Sequence, residues 1–234
     1  MERAGGAEWI AATFARSKKD GRIRILTDFR GLNKALKRKA YPLPRMGDIL
    51  QRRRKYKYVT KLDLSMQYYT FQLDEESRQL CTMATPFGLY RYKRLAMGLK
   101  VSTDIAQEIM EDVLRDIPGC EIFIDDVALF SNSWEEHQHT VNEALKRLQN
   151  AGFTINPLKC EWAVQETDFL GHWFTPEGPK PWQKKVDAIL KLERPQNMKQ
   201  LRSFLGTVTY YRGMWPKRSH ILTPLTNLIG KTTF

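Results

Sequence analysis

The sequence predicts an α+β fold with a helical C-terminal part, and three observations support this prediction. Up to about residue 175, short segments alternate apolar and polar residues in the pattern typical of β-strands. Two longer segments in the same region, 102–116 and 133–151, carry apolar residues at helical spacing. After a turn sequence at 176–179, the apolar spacing is helical. The chain therefore divides into a mixed α/β part and a helical tail.

The individual elements follow from local patterns. Strands are expected at 22–26, 58–64, 68–73, 79–84, 89–95 and within 161–174, with turns at 74–77 and 86–88. Ser133 and Glu136 form a capping box that should begin the helix over 133–151, and Gly152 should end it. The buried stripe of this helix is expected to contain Trp134, Val141, Ala144, Leu145 and Leu148. Later helices should bury Trp182, Val186, Ile189 and Leu190, then Leu201, Phe204, Leu205, Val208 and Tyr211, then residues within 221–229.

Composition bounds the class of protein. The chain has 234 residues, of which 42% are hydrophobic, and this excludes overall disorder. Lys and Arg number 38 against 26 Asp and Glu, which gives a net charge of +12. An excess of this size favours a polyanionic partner such as nucleic acid, because neutralised phosphates release their counterions.

Cysteine usage and hydropathy indicate the compartment. Cys81, Cys120 and Cys160 are odd in number and match neither a zinc-binding spacing nor a disulfide framework. A reducing intracellular environment is therefore expected. The sequence contains no apolar run approaching 18 residues and no signal-like N-terminal stretch, so no membrane association is expected.

Two adjacent carboxylates, Asp125 and Asp126, lie between the apolar runs 122–124 and 127–130, a pattern that predicts a hairpin. Two like charges about 4 Å apart repel by roughly 4 kcal/mol at an effective dielectric constant of about 20. Such a pair either points into water at an ordinary turn or holds a cation. The hairpin alone leaves both interpretations open.

A third carboxylate, Asp63, favours the interpretation that the acidic pair binds a cation. Asp63 lies in the predicted strand 58–64, on the opposite face from Leu62 and Leu64. A crossover helix between the two segments could return the chain to the same sheet and bring Asp63 beside the hairpin. Carboxylates together with substrate phosphates suit magnesium, and paired magnesium ions stabilise in-line phosphoryl displacement. With the basic charge, this arrangement favours a nucleotidyl transferase over a small-molecule hydrolase.

A series of short motifs occurs in a fixed order along most of the chain. They are Trp9, Lys18-Lys19-Asp20-Gly21, Arg24, Asp28-Phe-Arg-Gly-Leu-Asn33, Tyr41-Pro-Leu-Pro44, Leu62-Asp-Leu64, Tyr68, Pro86-Phe-Gly88, Met97-Gly98-Leu99, Phe123-Ile-Asp-Asp126, Lys159-Cys-Glu161, Phe169-Leu-Gly-His172, Leu201-Arg-Ser-Phe-Leu-Gly206 and Tyr210-Tyr-Arg212. In these motifs the sequence closely resembles the reverse transcriptases of gypsy-type LTR retrotransposons and their retroviral relatives.

The resemblance implies a right-hand polymerase with mixed fingers, an RRM/ferredoxin-like palm and a helical thumb. It implies fingers at 1–60 with 74–96 returning to them, a palm at 61–175, and a thumb with the start of a connection at 176–234. The fingers are expected to be truncated at the N-terminus, and RNase H is expected to be absent. The implied activity is RNA-directed DNA polymerisation, which adds dNTPs to a primer 3′-hydroxyl as part of a polyprotein.

The resemblance also assigns roles to individual residues. Asp63, Asp125 and Asp126 would be the catalytic carboxylates. They would bind two Mg²⁺ ions, for which Mn²⁺ could substitute. The nucleotide would be held by Lys18 and Arg24 at the triphosphate, by Tyr68 beneath the sugar, and by Met97 and Gly98. The primer grip would consist of Phe169, Leu170, Gly171 and His172. Arginines 52–54 and Lys55 would either contact the template backbone or form a solvated face.

The implied partners are an RNA or DNA template with its primer, dNTPs, and the RNase H, integrase and protease regions of the same polyprotein. The expected location is intracellular, in cytoplasmic virus-like particles or in the nucleus. The sequence departs from the family at Asp104, where an Ala-Pro pair is usual, and Asp104 is expected to place a charge near phosphate. The alternative function is that of an inactive nucleic-acid-binding remnant.

Overall fold

The structure, a computed structural model, describes residues 1–17, 21, 23–38, 40–53, 55–215 and 217–229. Within these residues the strands are β1 (Glu2–Arg3), β2 (Ile10–Ser17), β3 (Ile23–Thr27), β4 (Tyr58–Asp63), β5 (Thr82–Thr85), β6 (Gly88–Arg91), β7 (Cys120–Phe123), β8 (Asp126–Ser131), β9 (Glu161–Val164), β10 (Thr167–Phe169), β11 (His172–Thr175) and β12 (Gly178–Pro181).

The helices are α1 (Arg30–Ala35), α2 (Met46–Arg52), α3 (Glu75–Leu80), α4 (Ser102–Val113), α5 (Trp134–Asn150), α6 (Gln183–Leu190), α7 (Met198–Thr209) and α8 (Arg218–Thr226). Short 3₁₀ helices lie at Gln67–Thr70 and Arg212–Met214. Within the described residues, none of the helices combines the length and apolar character needed to cross a membrane.

The strands form three sheets, and the central one positions the carboxylates. Its order is β7-β8-β4-β9, all antiparallel, with β4 between the acidic hairpin and β9. A five-stranded sheet of order β1-β6-β5-β2-β3 combines the N-terminal strands with the β5–β6 hairpin. A three-stranded sheet of order β10-β11-β12 precedes helices α6 to α8.

Both faces of the central sheet are buried, because β8 alternates its side chains between two apolar clusters. Val127 and Leu129 pack with Met110 of α4 and Leu148 of α5. Ala128 and Phe130 point the other way and pack with residues from α2, β10 and β11. The sheet end that carries the acidic residues is therefore fixed by packing on both sides.

Two predicted elements between β4 and β5 are wrong. Residues 68–73 are aromatic and were expected to form a strand, but the chain enters a 3₁₀ helix after Met66, whose φ of 52° is left-handed. The turn expected at 74–77 is the start of α3. There, the Asp74 carboxylate accepts a 2.7 Å hydrogen bond from the Ser77 amide and caps the helix.

Helix α5 confirms the predicted cap but not its whole buried stripe. The Ser133 hydroxyl accepts a hydrogen bond from the Glu136 amide, and Gly152 follows the helix with a φ of 77°. Trp134 is 45% exposed and packs edge-on against Tyr58, so its predicted burial is wrong. The fully buried positions of α5 are His137, Thr140, Ala144 and Leu148.

The helical tail packs around α7. Leu201, Leu205 and Val208 are buried with Leu222 of α8, as predicted for the α7 face. Leu190 is 76% exposed because α6 ends there and Ile189 packs against this cluster instead, so the predicted burial of Leu190 is wrong.

Candidate active site

The strand register brings two of the three predicted carboxylates face to face. In the antiparallel pairing of β4 with β8, Asp63 is the Cα partner of Asp126. Side chains directly opposite each other in an antiparallel pair lie on the same face of the sheet. Asp63 and Asp126 therefore share one end and one face of the central sheet.

The third carboxylate, Asp125, lies in the turn between β7 and β8, which we call the acidic turn (residues 124–125). Phe123 and Asp126 are Cα partners, so Ile124 and Asp125 form a two-residue connection. Ile124 has a φ of 60°, a left-handed conformation that costs a β-branched residue roughly 1–2 kcal/mol. Both Asp125 and Asp126 are exposed, so the acidic turn presents its carboxylates to solvent.

The charges at this sheet end act on one another. Packing around its carboxylate, followed by the charge of Asp125, raises the pKa of Asp126 above its usual range. Asp63 adds to this increase, whereas Lys61 opposes it. Burial, with a contribution from the charge of Asp125, also raises the pKa of Tyr68, which places Tyr68 within electrostatic reach of the acidic turn. The site is thus a concentration of negative charge that a cation would relieve.

Asp63 is held by the loop before β9. The Lys159 ammonium lies 3.6 Å from the Asp63 carboxylate. The Asp63 amide points to the Cys160 sulfur at 3.3 Å, and its carbonyl accepts a 2.9 Å hydrogen bond from the Asn156 amide. These contacts fix the backbone of Asp63 while its carboxylate stays partly exposed.

The donor set fits a divalent cation that is completed by substrate. Carboxylate oxygens are the ligands that Mg²⁺ prefers, usually one or two together with water and phosphate oxygens. In the described part of the chain, no three His, Cys, Asp or Glu side chains converge into a full ligand set of their own. The paired Asp63 and Asp126, with Asp125 in the adjacent turn, therefore suit an open site and not a closed protein cage.

The predicted nucleotide residues Met97 and Gly98 line a cavity of about 520 Å³ beside strands β2 and β3 of the five-stranded sheet. The Asn33 side chain donates a 2.8 Å hydrogen bond to the Gly98 carbonyl and accepts one from the Lys100 amide, which joins α1 to this loop. Gly98 has a φ of 97° that favours glycine. Other lining residues are Phe14, Ile25, Leu26, Thr27, Asp28, Phe29, Arg30, Tyr69 and Tyr92.

Of the two cationic residues predicted to bind the triphosphate, Lys18 and Arg24, the structure describes only Arg24. Arg24 lies on β3 opposite Arg16, is exposed, and exerts its charge on Tyr69, one of the cavity residues. Lys18 falls outside the described residues. Of the pair, Arg24 is the one that can be located beside the cavity.

The predicted primer-grip residues form a second two-residue hairpin, whose turn (residues 170–171) we call the glycine turn. Phe169 and His172 are Cα partners, and both are only 2% exposed. The Tyr210 hydroxyl donates to the Leu170 carbonyl at 2.7 Å, and the Tyr211 hydroxyl donates to the Gly171 carbonyl at 3.1 Å. The side chains of Phe169 and His172 are therefore directed into the protein, and the turn is attached to the two tyrosines that follow α7.

The departure from the family at Asp104 has a different consequence from the one expected. Asp104 is buried, and Arg38 binds its carboxylate through Nε at 2.6 Å and Nη2 at 2.8 Å. This pairing lowers the pKa of Asp104. The expectation that Asp104 places a free charge near phosphate is wrong, because the charge is neutralised inside the protein.

The cationic segment is also partly committed to the fold. Arg52 and Arg53 both bind the buried carboxylate of Glu121, each at 2.7 Å. Neither is simply a solvated side chain. Their charges anchor α2 to β7.

Sequence reasoning missed two buried glutamines at the acidic turn. Gln107 of α4 and Gln67 of the 3₁₀ helix are 0% and 2% exposed, and both hydrogen-bond to the backbone of Ile124. For Gln107 a signal was present, because a polar residue one turn before the buried Met110 occupies a core position of α4. Gln67 carried no such signal, because it lies between the predicted strands 58–64 and 68–73 and belongs to neither.

Similarity to known proteins defines the class. The family model for reverse transcriptase (RNA-dependent DNA polymerase) matches residues 16–174. The chain is 33% identical over 96% of its length to a retrovirus-related Pol polyprotein from transposon 297 of Drosophila melanogaster, and 31% identical over 92% to the transposon Tf2-7 polyprotein of Schizosaccharomyces pombe. It spans 21% and 16% of those polyproteins, respectively.

A solved structure shares the architecture. The foamy viral protease-reverse transcriptase in complex with double-stranded DNA superimposes with a TM-score of 0.88 at 25% identity, covering 96% of this chain and 40% of that one. The predicted polymerase fold is confirmed, as is the resemblance to reverse transcriptases of LTR retrotransposons. This chain belongs to the reverse transcriptase family.

Proposed function

We propose that this chain is the polymerase part of a gypsy-type LTR retrotransposon polyprotein and that it catalyses RNA-directed DNA synthesis. It would add dNTPs to a primer 3′-hydroxyl. The observation that carries this proposal is the pairing of Asp63 with Asp126 at one sheet end, with Asp125 in the adjoining turn.

In this function Asp63, Asp125 and Asp126 are the catalytic and metal-binding residues, and their proposed ions are two Mg²⁺, with Mn²⁺ as a substitute. When bound, such ions would stabilise the charges on the attacking and leaving oxygens. The protein supplies three neighbouring carboxylates, and packing around Asp126 together with the charge of Asp125 raises the pKa of Asp126 and favours a cation beside them.

The incoming nucleotide is proposed to occupy the cavity beside Met97 and Gly98. Arg24, together with Lys18, would neutralise the triphosphate, because a guanidinium fork suits phosphate oxygens. Tyr68, within reach of the charge of Asp125, is proposed to pack beneath the sugar and to exclude a ribose 2′-hydroxyl.

The primer and template are proposed to follow the same face toward the helical tail. Since Phe169 and His172 are buried, the primer would meet the half-buried turn residues Leu170 and Gly171 and not those two side chains. The net charge of +12 supports a template-primer of RNA or DNA as the partner.

The proposed domain limits are fingers at 1–60 with 74–96, a palm at 61–175 and a thumb from 176. Their support is the sheet order, because β1 to β3 share one sheet with β5 and β6. The RNase H, integrase and protease regions of the same polyprotein are proposed partners. The proposed location is a cytoplasmic virus-like particle or the nucleus.

Primer extension tests this proposal. The 234-residue chain is expected to extend oligo(dT) on poly(rA) with dTTP and Mg²⁺ or Mn²⁺, and Asp125→Asn should abolish extension. Asp112→Asn is the matched control, because Asp112 is an exposed aspartate of α4 that pairs with Arg115. Salt-sensitive binding of the primer-template without extension at any metal concentration would contradict the proposal and indicate the nucleic-acid-binding remnant.

A further inference from the structure

The acidic turn is built on a residue that does not favour its conformation. Ile124 adopts a φ of 60°, which glycine adopts freely and which a β-branched residue avoids. Asp125 follows immediately, so the backbone of Ile124 decides where the Asp125 carboxylate points. Something must hold this backbone against its preference.

Gln107 contacts the turn from the helix side. Its Oε1 accepts a 2.6 Å hydrogen bond from the Ile124 amide, and its Nε2 donates to the Ile122 carbonyl at 3.1 Å. The same Nε2 lies 2.6 Å from the Glu111 carboxylate, one helical turn further along α4. Gln107 is completely buried, so its amide is fixed on both sides.

Gln67 contacts the turn from the opposite side. Its Nε2 donates a 3.1 Å hydrogen bond to the Ile124 carbonyl, and its side chain is 2% exposed. Its Oε1 has no hydrogen-bond partner among the described residues, so the amide is committed to the turn through its nitrogen. Both polar backbone groups of Ile124 are therefore bound by amides from two separate elements.

We propose that Gln67 and Gln107 are positioning residues that hold Ile124 in its left-handed conformation and thereby place Asp125 beside Asp63 and Asp126. This inference rests on the proposed polymerase function. Without the two amides, Ile124 relaxes toward negative φ, and the Asp125 carboxylate moves away from the other two. Displacing a group that orients a ligand-bearing element typically lowers activity about 10–100-fold.

The first test replaces each amide with a side chain of similar length that lacks its hydrogen-bonding groups. Gln107→Met and Gln67→Met are expected to lower kcat for primer extension about 10–100-fold, with KM for dTTP changed less than about twofold. Ser131→Ala is the matched control. It removes a buried hydrogen bond between Ser131 and His137 at the far end of β8, the strand that begins with Asp126. It should lower Tm and leave kcat unchanged. Equal kcat in the wild type and both glutamine variants would overturn the inference.

The second test separates positioning from general stabilisation. Glycine adopts a positive φ without strain, so Ile124→Gly should make the amides less necessary. In the Gln107→Met background, Ile124→Gly is expected to recover part of the lost kcat, whereas independent effects would multiply. Multiplicative losses would show that Gln107 only stabilises the core and would overturn the inference.

A third measurement does not depend on activity. Ile124→Gly should raise Tm more in the Gln107→Met variant than in the wild type. In that variant the hydrogen bonds of Gln107 no longer offset the strain of the positive φ at Ile124. If the wild type extends no primer, the proposed function fails, and the Tm cycle still decides whether Gln107 holds the turn. Equal Tm changes in both backgrounds would refute that role.

Discussion

The acidic turn and the glycine turn have the same length but expose opposite parts of their hairpins. At residues 124–125 the Asp125 carboxylate faces solvent, and the buried side-chain amides of Gln67 and Gln107 bind the backbone of Ile124. At residues 170–171 the flanking Phe169 and His172 are buried, and tyrosine hydroxyls of the helical tail bind the turn carbonyls. One turn presents a carboxylate to solvent, and the other attaches one part of the protein to another.

The two turns also differ in whether the residue with a positive φ can carry a side chain. Ile124 keeps a side chain despite a positive φ, whereas Gly171 could not carry one. A Cβ added at Gly171 would lie 2.8 Å from the Tyr210 hydroxyl. Glycine is required here by the close approach of α7 as well as by a φ of 72°.

The largest expected effect comes from Asp126, the carboxylate next to the acidic turn. If Asp126 has its proposed role, Asp126→Asn should lower primer extension on the order of 1000-fold, because losing a metal ligand removes several kcal/mol of charge stabilisation. In metal-free buffer the same variant should raise Tm, since it removes repulsion with Asp125 and Asp63. Activity assays and thermal unfolding of one preparation measure both. A fall in Tm together with activity would show that Asp126 is chiefly structural.

The second effect breaks the glycine turn. Gly171→Ala should cost about 1–2 kcal/mol from the positive φ, with a further loss as Tyr210 is displaced. Gly206→Ala is the control, because this glycine lies inside α7 and nothing in the described chain lies within 4 Å of an added Cβ. The control should gain roughly 0.5–1 kcal/mol. Denaturant unfolding measures both, and equal changes would exclude the close approach at Gly171.

A smaller effect concerns the attachment of the glycine turn. Tyr210→Phe and Tyr211→Phe each remove one hydroxyl that binds a turn carbonyl, at a cost of about 0.5–1.5 kcal/mol. The rings remain, so packing against His172 is retained. We expect weaker primer-template affinity with little change in the kcat of bound complexes. A loss of kcat alone would place these tyrosines in the chemistry of the acidic turn.

The smallest effect is pH dependence at the glycine turn. Burial lowers the pKa of His172, and also of His137, below the usual value of 6.5. Protonation is then easier in the unfolded chain, so stability is complete above about pH 6.5 and declines as pH falls toward the folded-state pKa. Thermal unfolding from pH 7.5 to 5 should show this decline, and His172→Gln should reduce it. An unchanged slope would assign the decline to His137.

Much of the site could be predicted because its signals are local. Asp63 follows an alternating strand, and the acidic pair lies between two apolar runs, so the strand and the hairpin were both evident. The hairpin at 169–172 was implied by the family resemblance, and its turn contains Gly171, which has a φ of 72°. Their alignment in one sheet needed the register of β4 with β8, which joins distant parts of the chain.

The wrong predictions share a dependence on distant partners. The aromatic residues after Met66 have high strand propensity, yet tertiary contacts and a left-handed residue place them in a 3₁₀ helix. The charge of Asp104 could not be judged without Arg38, and that of Arg52 could not be judged without Glu121. The role of Gln67 could not be predicted because its hydrogen-bond partner, the Ile124 carbonyl, lies far away in the sequence.

The pair of Arg38 and Asp104 has a consequence for how this sequence can diverge. Asp104 is buried whereas Arg38 is about half exposed, so loss of Arg38 would leave a buried carboxylate without its guanidinium partner and would destabilise the fold. Substitution of Arg38 alone would therefore be selected against, whereas replacement of both Arg38 and Asp104 by apolar residues would be tolerated. Positions 38 and 104 should therefore change together among descendants of this element.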